Sequence, residues 1–464
     1  MQIQFLGATR TTTGSCYLIE VNHKRFMLEC GLFQGRREES IERNCCFSFD
    51  PSALEAVVLS HAHIDHSGNL PNLCKQGFNG NIYCTFATRD LSSIMLEDSA
   101  EIQRADAEWI SKHRAAKGLP PVQPLYTPAD AEKALRQFVT VNYDRPLKIL
   151  EGVTVTFRDA GHILGSAQVV FDIEEDGKKF RYLFSGDVGR GHDDILRDPD
   201  PVENVDYLQI ESTYGAREHK TREGASDEIC QLVNDTVALG GKVIIPSFSV
   251  GRTQDIVYTL HKLSLDKKLA PVPIFVDSPL SVNATEVYRL HPECFNEATY
   301  AFLREKENPF GMARLTYIRE VERSRELNDL KTPAIIISAS GMAEAGRIRH
   351  HLKNNIGDAR NLILFIGYCA DHTLGAQILA RRSPVNIFGE PQVVRARIAS
   401  LDSFSGHAGR SELIAYVNRL TGPLKRIFVI HGEESQSLAF ADTLRQIKPQ
   451  SDVLVPERGQ IVTL

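Results

Sequence analysis

A buried strand that runs straight into a crowd of metal-binding side chains is the feature that most constrains this sequence. Glu55-Ala-Val-Val-Leu-Ser60 is a strand-length apolar run, and His61-Ala-His63-Ile-Asp65-His66 follows it without a break. Three imidazoles and a carboxylate in one short loop can wrap a cation from one side. Neutral imidazole and carboxylate oxygen are zinc ligands, and the lack of cysteine in the set favours a catalytic over a closed structural site. The competing reading, a surface cluster of histidines, fits poorly with the end of a buried strand.

Further ligands stand at the ends of other apolar runs. His162 lies in Asp159-Ala-Gly-His-Ile-Leu-Gly-Ser166, Asp187 in Phe184-Ser-Gly-Asp-Val-Gly189, and His431 closes Ile427-Phe-Val-Ile-His-Gly432. Alone, each is a weak signal, and a lone histidine after an apolar run is more often a satisfied core or turn residue. Together they supply the remaining ligands that two metal ions need.

The first two hundred residues alternate strands and helices. Apolar positions Leu91, Met95, Ile102, Ala105 and Trp109 predict a helix over 88–113, ended by Gly118-Leu119-Pro120-Pro121. Thr127-Pro-Ala-Asp130 predicts a helix start, with Thr as cap and Pro at the first helical position. An internal echo links Gly14-Ser15 through Glu29-Cys30-Gly31 with Gly165-Ser166 through Ser185-Gly186-Asp187. Both segments read as β-hairpins ending in an acid near glycine, either a duplicated scaffold or two unrelated hairpins. From about residue 205 the rhythm predicts a second, mostly parallel α/β region, with strands at 207–212, 242–247, 274–277, 334–339, 361–366 and 385–388. Short β-rich segments return after it, ending in Arg426–His431 and Asp452–Val455.

Nine cysteines without a CxxC spacing argue against a disulfide framework or a zinc ribbon. The net charge of −6 gives no nucleic-acid signal of its own, although metal-holding carboxylates contribute to that balance. No signal-peptide pattern and no membrane-length apolar run is present, which points to the cytoplasm and away from a membrane partner.

HAHIDH, GHILGS, SGDVGR and the late IHGEE resemble the metallo-β-lactamase superfamily, and specifically its β-CASP nucleases. Gln209-Ile-Glu-Ser-Thr-Tyr-Gly215, Asp402-Ser-Phe-Ser-Gly-His407 and His431 are similar to the added β-CASP signatures. So are Pro246-Ser-Phe-Ser-Val-Gly-Arg-Thr-Gln254, Asp277-Ser-Pro-Leu280 and Ser338-Ala-Ser-Gly-Met342. The resemblance covers nearly the whole chain in order. It implies an α/β fold: a metallo-β-lactamase αββα sandwich from residues 1–204 and 395–464, with a β-CASP domain inserted at 205–394. The insert would roof the metals and leave a cleft for an extended polyanion. With a start directly in the first strand and 33 residues after His431, the expectation is a chain without the N-terminal RNA-binding domains of archaeal relatives or the C-terminal domain of the RNase J branch.

The resemblance puts His61, His63 and His162 on one zinc and Asp65, His66 and His431 on the other, with Asp187 bridging. Mn²⁺ is the alternative ion. Two such ions share a hydroxide, lower its pKa and clamp a phosphodiester for in-line attack. Asp65 would serve catalysis as well as metal binding. Glu211 and His407 match the family's acid–histidine pair, in which the carboxylate keeps the imidazole protonated to act as general acid. For Glu211 a buried salt bridge is the plainer reading.

Two departures stand out. Glu29 occupies the place of the family's usual Asp, whose role is to hold metal-binding histidines from behind, so that contact must be re-aimed. After Gly367-Tyr368 the family usually has acid-Gly-Thr-Leu-Gly, where this chain has Asp371-His372-Thr373-Leu374-Gly375. His372 is read as a structural substitution, with an extra substrate contact as the other reading.

Arg252, Ser340, Arg347 and Ser405 are candidate phosphate contacts, because Ser249–Thr253 and Ser340-Gly341 each lie between a strand and a predicted helix start. Helix capping and salt bridging are their ordinary alternatives. His431 points to single-stranded RNA, since the RNA-cutting branches have His there and the DNA-repair branch an apolar residue. The expected function is a zinc-dependent ribonuclease of the endonuclease type, in which 5′-exonuclease action is left open, as is a homodimer. The competing classes are a DNA nuclease, a small-molecule ester or thioester hydrolase, and a non-catalytic RNA-processing subunit.

Overall fold

In strand Lys24–Cys30, Phe26 and Leu28 pack on one side and Met27 on the other. That period of two, apolar on both faces, is what a sheet covered on both sides demands. The computed structural model describes residues 1–220, 224–305, 308–367, 369–370 and 372–464. They form two units, one of residues 1–193, 197–218 and 407–464, the other of residues 194–196 and 219–406.

The first unit holds two seven-stranded sheets. One runs Ile461–Thr463, Gln2–Phe5, Cys16–Val21, Lys24–Cys30, Ala56–Val58, Asn81–Cys84, Phe138–Thr140. The other runs Asp452–Leu454, Arg426–Ile430, Tyr207–Glu211, Lys178–Phe184, Ala167–Glu175, Val153–Asp159, Leu147–Leu150. Phe5, Tyr17, Phe26, Phe171, Phe184 and Phe428 fill the space between the sheets. The outer face of the first sheet packs Met27 and Val57 against Leu70 and Leu73 of helix Leu70–Lys75. The outer face of the second packs Leu208 and Ile210 with Leu413, Val417 and Leu444 of helices Arg410–Arg419 and Glu434–Ile447. The layers are therefore helix, sheet, sheet, helix, as expected.

Both hairpins of the internal echo form, one in each sheet. Cys16–Val21 pairs antiparallel with Lys24–Cys30 around Asn22-His23, and Ala167–Glu175 with Lys178–Phe184 around Asp176-Gly177. The helix expected over 88–113 spans Phe86–Ala115, and Thr127 caps Pro128–Leu135 in a reciprocal pair with Asp130.

The second unit is built on a six-stranded parallel sheet in the order Leu315–Ile318, Ile274–Asp277, Ile335–Ser338, Val243–Pro246, Leu362–Ile366, Arg397–Leu401. Four elements differ from the sequence reading. Tyr207–Glu211, on the insert's side of the expected 204/205 boundary, is hydrogen-bonded between Lys178–Phe184 and Arg426–Ile430 in the first unit. Arg397–Leu401, on the other side of the 394/395 boundary, pairs with Leu362–Ile366 in the second. Val385–Ile387 forms a separate two-stranded ribbon with Glu390–Gln392, while the unforeseen edge strand Leu315–Ile318 joins the parallel sheet.

His372 is exposed in a turn, while Tyr368 and Asp371 of the same departing stretch lie outside the described residues. Among the described residues, no helix is long and apolar enough to cross a membrane.

Candidate metal centre

The loop that leaves Ala56–Val58 is held from behind before it offers any side chain forward. Ser15 N donates to the Asp65 carbonyl at 2.8 Å and Leu32 N to the Ile64 carbonyl at 2.9 Å. Gly31 lies so close that a Cβ there would stand 1.6 Å from the Asp65 oxygen, so no side chain fits. The His162 loop is fixed similarly. Ser166 Oγ accepts from the N–H groups of His162 and Ile163 at 3.0 and 3.2 Å. Thr85 and Thr88 hydroxyls donate to the Gly165 carbonyl, and Gly165 adopts φ +79° where a Cβ would meet Thr88 N at 2.5 Å.

These loops bring the seven expected ligands together in the first unit. His63 Nδ1 lies 3.2 Å from both His61 Nε2 and His162 Nε2. Asp187 Oδ2 faces His61 Nε2 at 3.5 Å and His162 Nε2 at 3.6 Å. On its other side the same oxygen is 3.4 Å from His66 Nε2, and Oδ1 is 3.4 Å from His431 Nδ1. His66 and His431 approach through Nε2 at 3.1 Å, with Asp65 Oδ2 3.4 Å from His431. The donor atoms of His61, His63, His162 and Asp187 all lie within 4.8 Å of one another, as do those of Asp65, His66 and His431.

This donor set fits metal ions. Asp187 is 2 % exposed and its Oδ1 has no hydrogen-bond partner among the described residues, a costly arrangement for a carboxylate unless a cation serves it. Burial holds the imidazoles of His61 well below the ordinary range and that of His63 at about 4, so both are neutral at pH 7, the form that binds metal. Burial opposes the charge on Asp187, but His431, His66 and His61 more than offset it and keep the carboxylate ionised. Burial likewise opposes the charge on His66, where Asp187, Asp65 and Glu29 prevail and hold its imidazole well above the ordinary range. An incoming cation must displace that proton.

Behind the ligands stands Glu29, fully buried. It accepts from Ser60 N at 2.6 Å and Ser60 Oγ at 2.9 Å and contacts His66 Nδ1 directly. Ser60 Oγ is also 2.9 Å from His61 Nδ1, so one carboxylate orients two imidazoles, one directly and one through a hydroxyl. Thr213 Oγ1 stands 3.2 Å from His431 Nδ1. Sequence reading passed over Ser60 and Thr213, although each adjoins a motif that it singled out. Glu29 and His431 hold left-handed backbones, φ 61° and 48°, as non-glycine residues do where surrounding contacts impose the conformation.

Glu211 and His407 meet beside this group. Glu211 Oε1 lies 3.2 Å from His407 Nδ1 and accepts from Val188 N at 2.7 Å, and Oε2 accepts from Thr213 N at 3.2 Å. His407 Nδ1 is 3.8 Å from Asp187 Oδ2. Burial opposes the charge on His407, yet Glu211, with Asp187 and Asp65, raises its pKa above the ordinary value.

The candidate phosphate contacts belong to the second unit. Arg252 pairs with Asp255 within its own helix, 8 % exposed. Arg347 donates to Asp277 Oδ1 at 2.7 Å and to the Arg319 carbonyl at 2.5 Å. Both guanidinium groups thus have internal partners of the ordinary salt-bridging kind. Ser340 Oγ lies 3.3 Å from Ala345 N, and Ser405 N closes a turn on the Asp402 carbonyl at 3.1 Å.

The sequence matches the Metallo-beta-lactamase superfamily over residues 9–241, the Beta-Casp domain over 253–378, and the Zn-dependent metallo-hydrolase RNA specificity domain over 392–456. It is 36 % identical over 444 residues to Ribonuclease TTHA0252 of Thermus thermophilus, covering 96 % of each chain. This chain belongs to the β-CASP family of the metallo-β-lactamase superfamily. Other relatives include the RNase J-like protein of Methanocaldococcus jannaschii, 31 % identical over 100 % of this chain and 99 % of that one. The transcription termination factor FttA of the same organism is 30 % identical over 96 % of this chain and 69 % of its own. A crystal structure of a protein of unknown function from Enterococcus faecalis V583 shares the fold, with TM-score 0.58 and 13 % identity over 100 % of this chain and 99 % of that one. The β-CASP assignment accounts for the donor set: it is a metal-binding group on a metallo-hydrolase fold.

Proposed function

We propose that this chain is a zinc-dependent ribonuclease that hydrolyses phosphodiester bonds of single-stranded RNA. Asp187 carries the reading: one buried carboxylate faces two sets of histidines, and its Oδ1 is otherwise unpartnered. His61, His63 and His162 would hold one ion and Asp65, His66 and His431 a second, with Asp187 as the carboxylate available to either. Bound there, the ions supply positive charge to a phosphate and acidify water.

The chain's own residues do the remaining work. Glu29 and Ser60 fix the His66 and His61 rings, so the donor atoms are aimed before substrate arrives. Glu211 keeps His407 charged and engages its Nδ1, so the proton given to the leaving oxygen is the one on Nε2. RNA as the substrate is supported by the RNA specificity domain and by a relative named as a ribonuclease. We read the domains as one metallo-β-lactamase domain interrupted by a β-CASP insert, with strand pairing favouring breaks near residues 218 and 406.

A digest of end-labelled single-stranded RNA, beside a β-lactam and a thioester, tests the proposal. RNA should be cut readily and the acyl substrates barely, and raising salt should weaken RNA binding through counterion effects. Equal turnover of RNA and a neutral acyl ester would overturn it.

A further inference from the structure

A cavity of about 400 Å³ lies within the first unit, and none of its lining residues is one of the seven metal-facing side chains. Its volume is within the range of small-molecule sites, about 300–1,000 Å³. Two of its features make different chemical demands.

The first is aromatic. Phe47 and Phe49, both half-buried, stand with ring centroids 5.4 Å apart, and Arg43 lies flat over Phe33 at 4.0 Å, paired with Glu39. Such walls take a planar ring. The second is cationic. Arg458, exposed at the rim, donates Nε to the Leu6 carbonyl at 3.3 Å, and among the described residues it has no carboxylate partner. Among the described residues, no Asp or Glu lines the cavity.

A ring and an anion in one small molecule describe a nucleotide. We propose that this cavity binds a nucleoside monophosphate, with the base between the aromatic walls. Its phosphate pairs with Arg458. A sugar phosphate lacks the ring, and a nucleoside lacks the anion. The site lies behind the metal-binding loop: its lining residue Asn69 follows His66 by one short turn, and the Asn69 N–H donates to the Cys30 carbonyl at 2.9 Å. The proposal does not depend on the nuclease reading.

Cys46 lines the cavity and is exposed, which provides a reporter independent of activity. Alkylation of Cys46 in the intact metal-loaded protein, followed by peptide mass spectrometry, should slow saturably with AMP. Ribose 5-phosphate and adenosine should protect weakly. Arg458→Gln, a change at an exposed site, should remove most of the AMP protection, Arg458→Lys should restore part of it, and Phe49→Ala should weaken it. No protection by AMP, equal protection by ribose 5-phosphate, or full AMP protection in Arg458→Gln would each overturn the assignment.

Discussion

His407 Nδ1 lies 3.2 Å from Glu211 Oε1, and the Glu211 side chain is wholly buried whereas that of His407 is 22 % exposed. A fixed carboxylate at one end and solvent access at the other suit a proton donor better than a metal ligand. His431, 3 % exposed and 3.1 Å from His66 Nε2, suits a ligand better than a donor. The two histidines look alike in sequence and separate in space.

His407→Ala should therefore keep its metal and still bind RNA, while cleavage slows by about 10²–10⁴-fold, the range for losing a positioned general acid. A substrate with sulfur in place of the leaving oxygen needs less protonation and should recover much of the loss. Loss of metal from His407→Ala, or no rescue by the thio-substrate, would move His407 out of the donor role.

Glu29→Gln should weaken metal binding by about ten- to a hundredfold, as losses of a ligand's supporting partner do. Glutamine offers one acceptor oxygen where Glu29 uses both, on Ser60 and on His66. Ser60→Ala should weaken binding less, because only the path to His61 is cut. Competition with a chromogenic chelator measures both. Unchanged affinity in Glu29→Gln would mark that carboxylate as a spectator.

Most of the candidate donor set that the structure brings together was legible because its members follow apolar strands, and such strands are hard to misread. The departure at Glu29 was also visible, and its reach to His66 agrees with the re-aimed contact expected of a longer side chain. Ser60 and Thr213 were not legible, since small hydroxyl residues at strand ends have many ordinary uses. Strand pairing was the other gap. Tyr207–Glu211 reads as the first strand of the insert by rhythm alone, and its parallel pairing with Lys178–Phe184 and with Arg426–Ile430, more than two hundred residues on, places it in the sandwich. Leu315–Ile318 is a four-residue, half-buried edge strand, too short for its pattern to stand out.

Asp159 offers a pH test away from the donor atoms. Burial pushes its carboxyl up from 3.8 to about 7, against the opposing hydrogen bond from Gly161 N at 2.9 Å. A folded-state pKa above the unfolded one means the neutral acid stabilises the fold. That contribution is complete below about pH 4 and is lost as pH rises through about 7. Asp159→Asn keeps an acceptor for Gly161 and cannot ionise, so its melting temperature relative to the parent should rise between pH 4 and pH 8. A constant difference across that range would show that Asp159 is ionised in the fold throughout.

The most direct test of the central claim is metal content by elemental analysis of the purified chain and of Asp187→Ala. The account predicts about two zinc ions per chain in the parent, and loss of both occupancy and RNA cleavage in the variant, because one carboxylate serves both positions. An Asp187→Ala protein that retains two ions would contradict it.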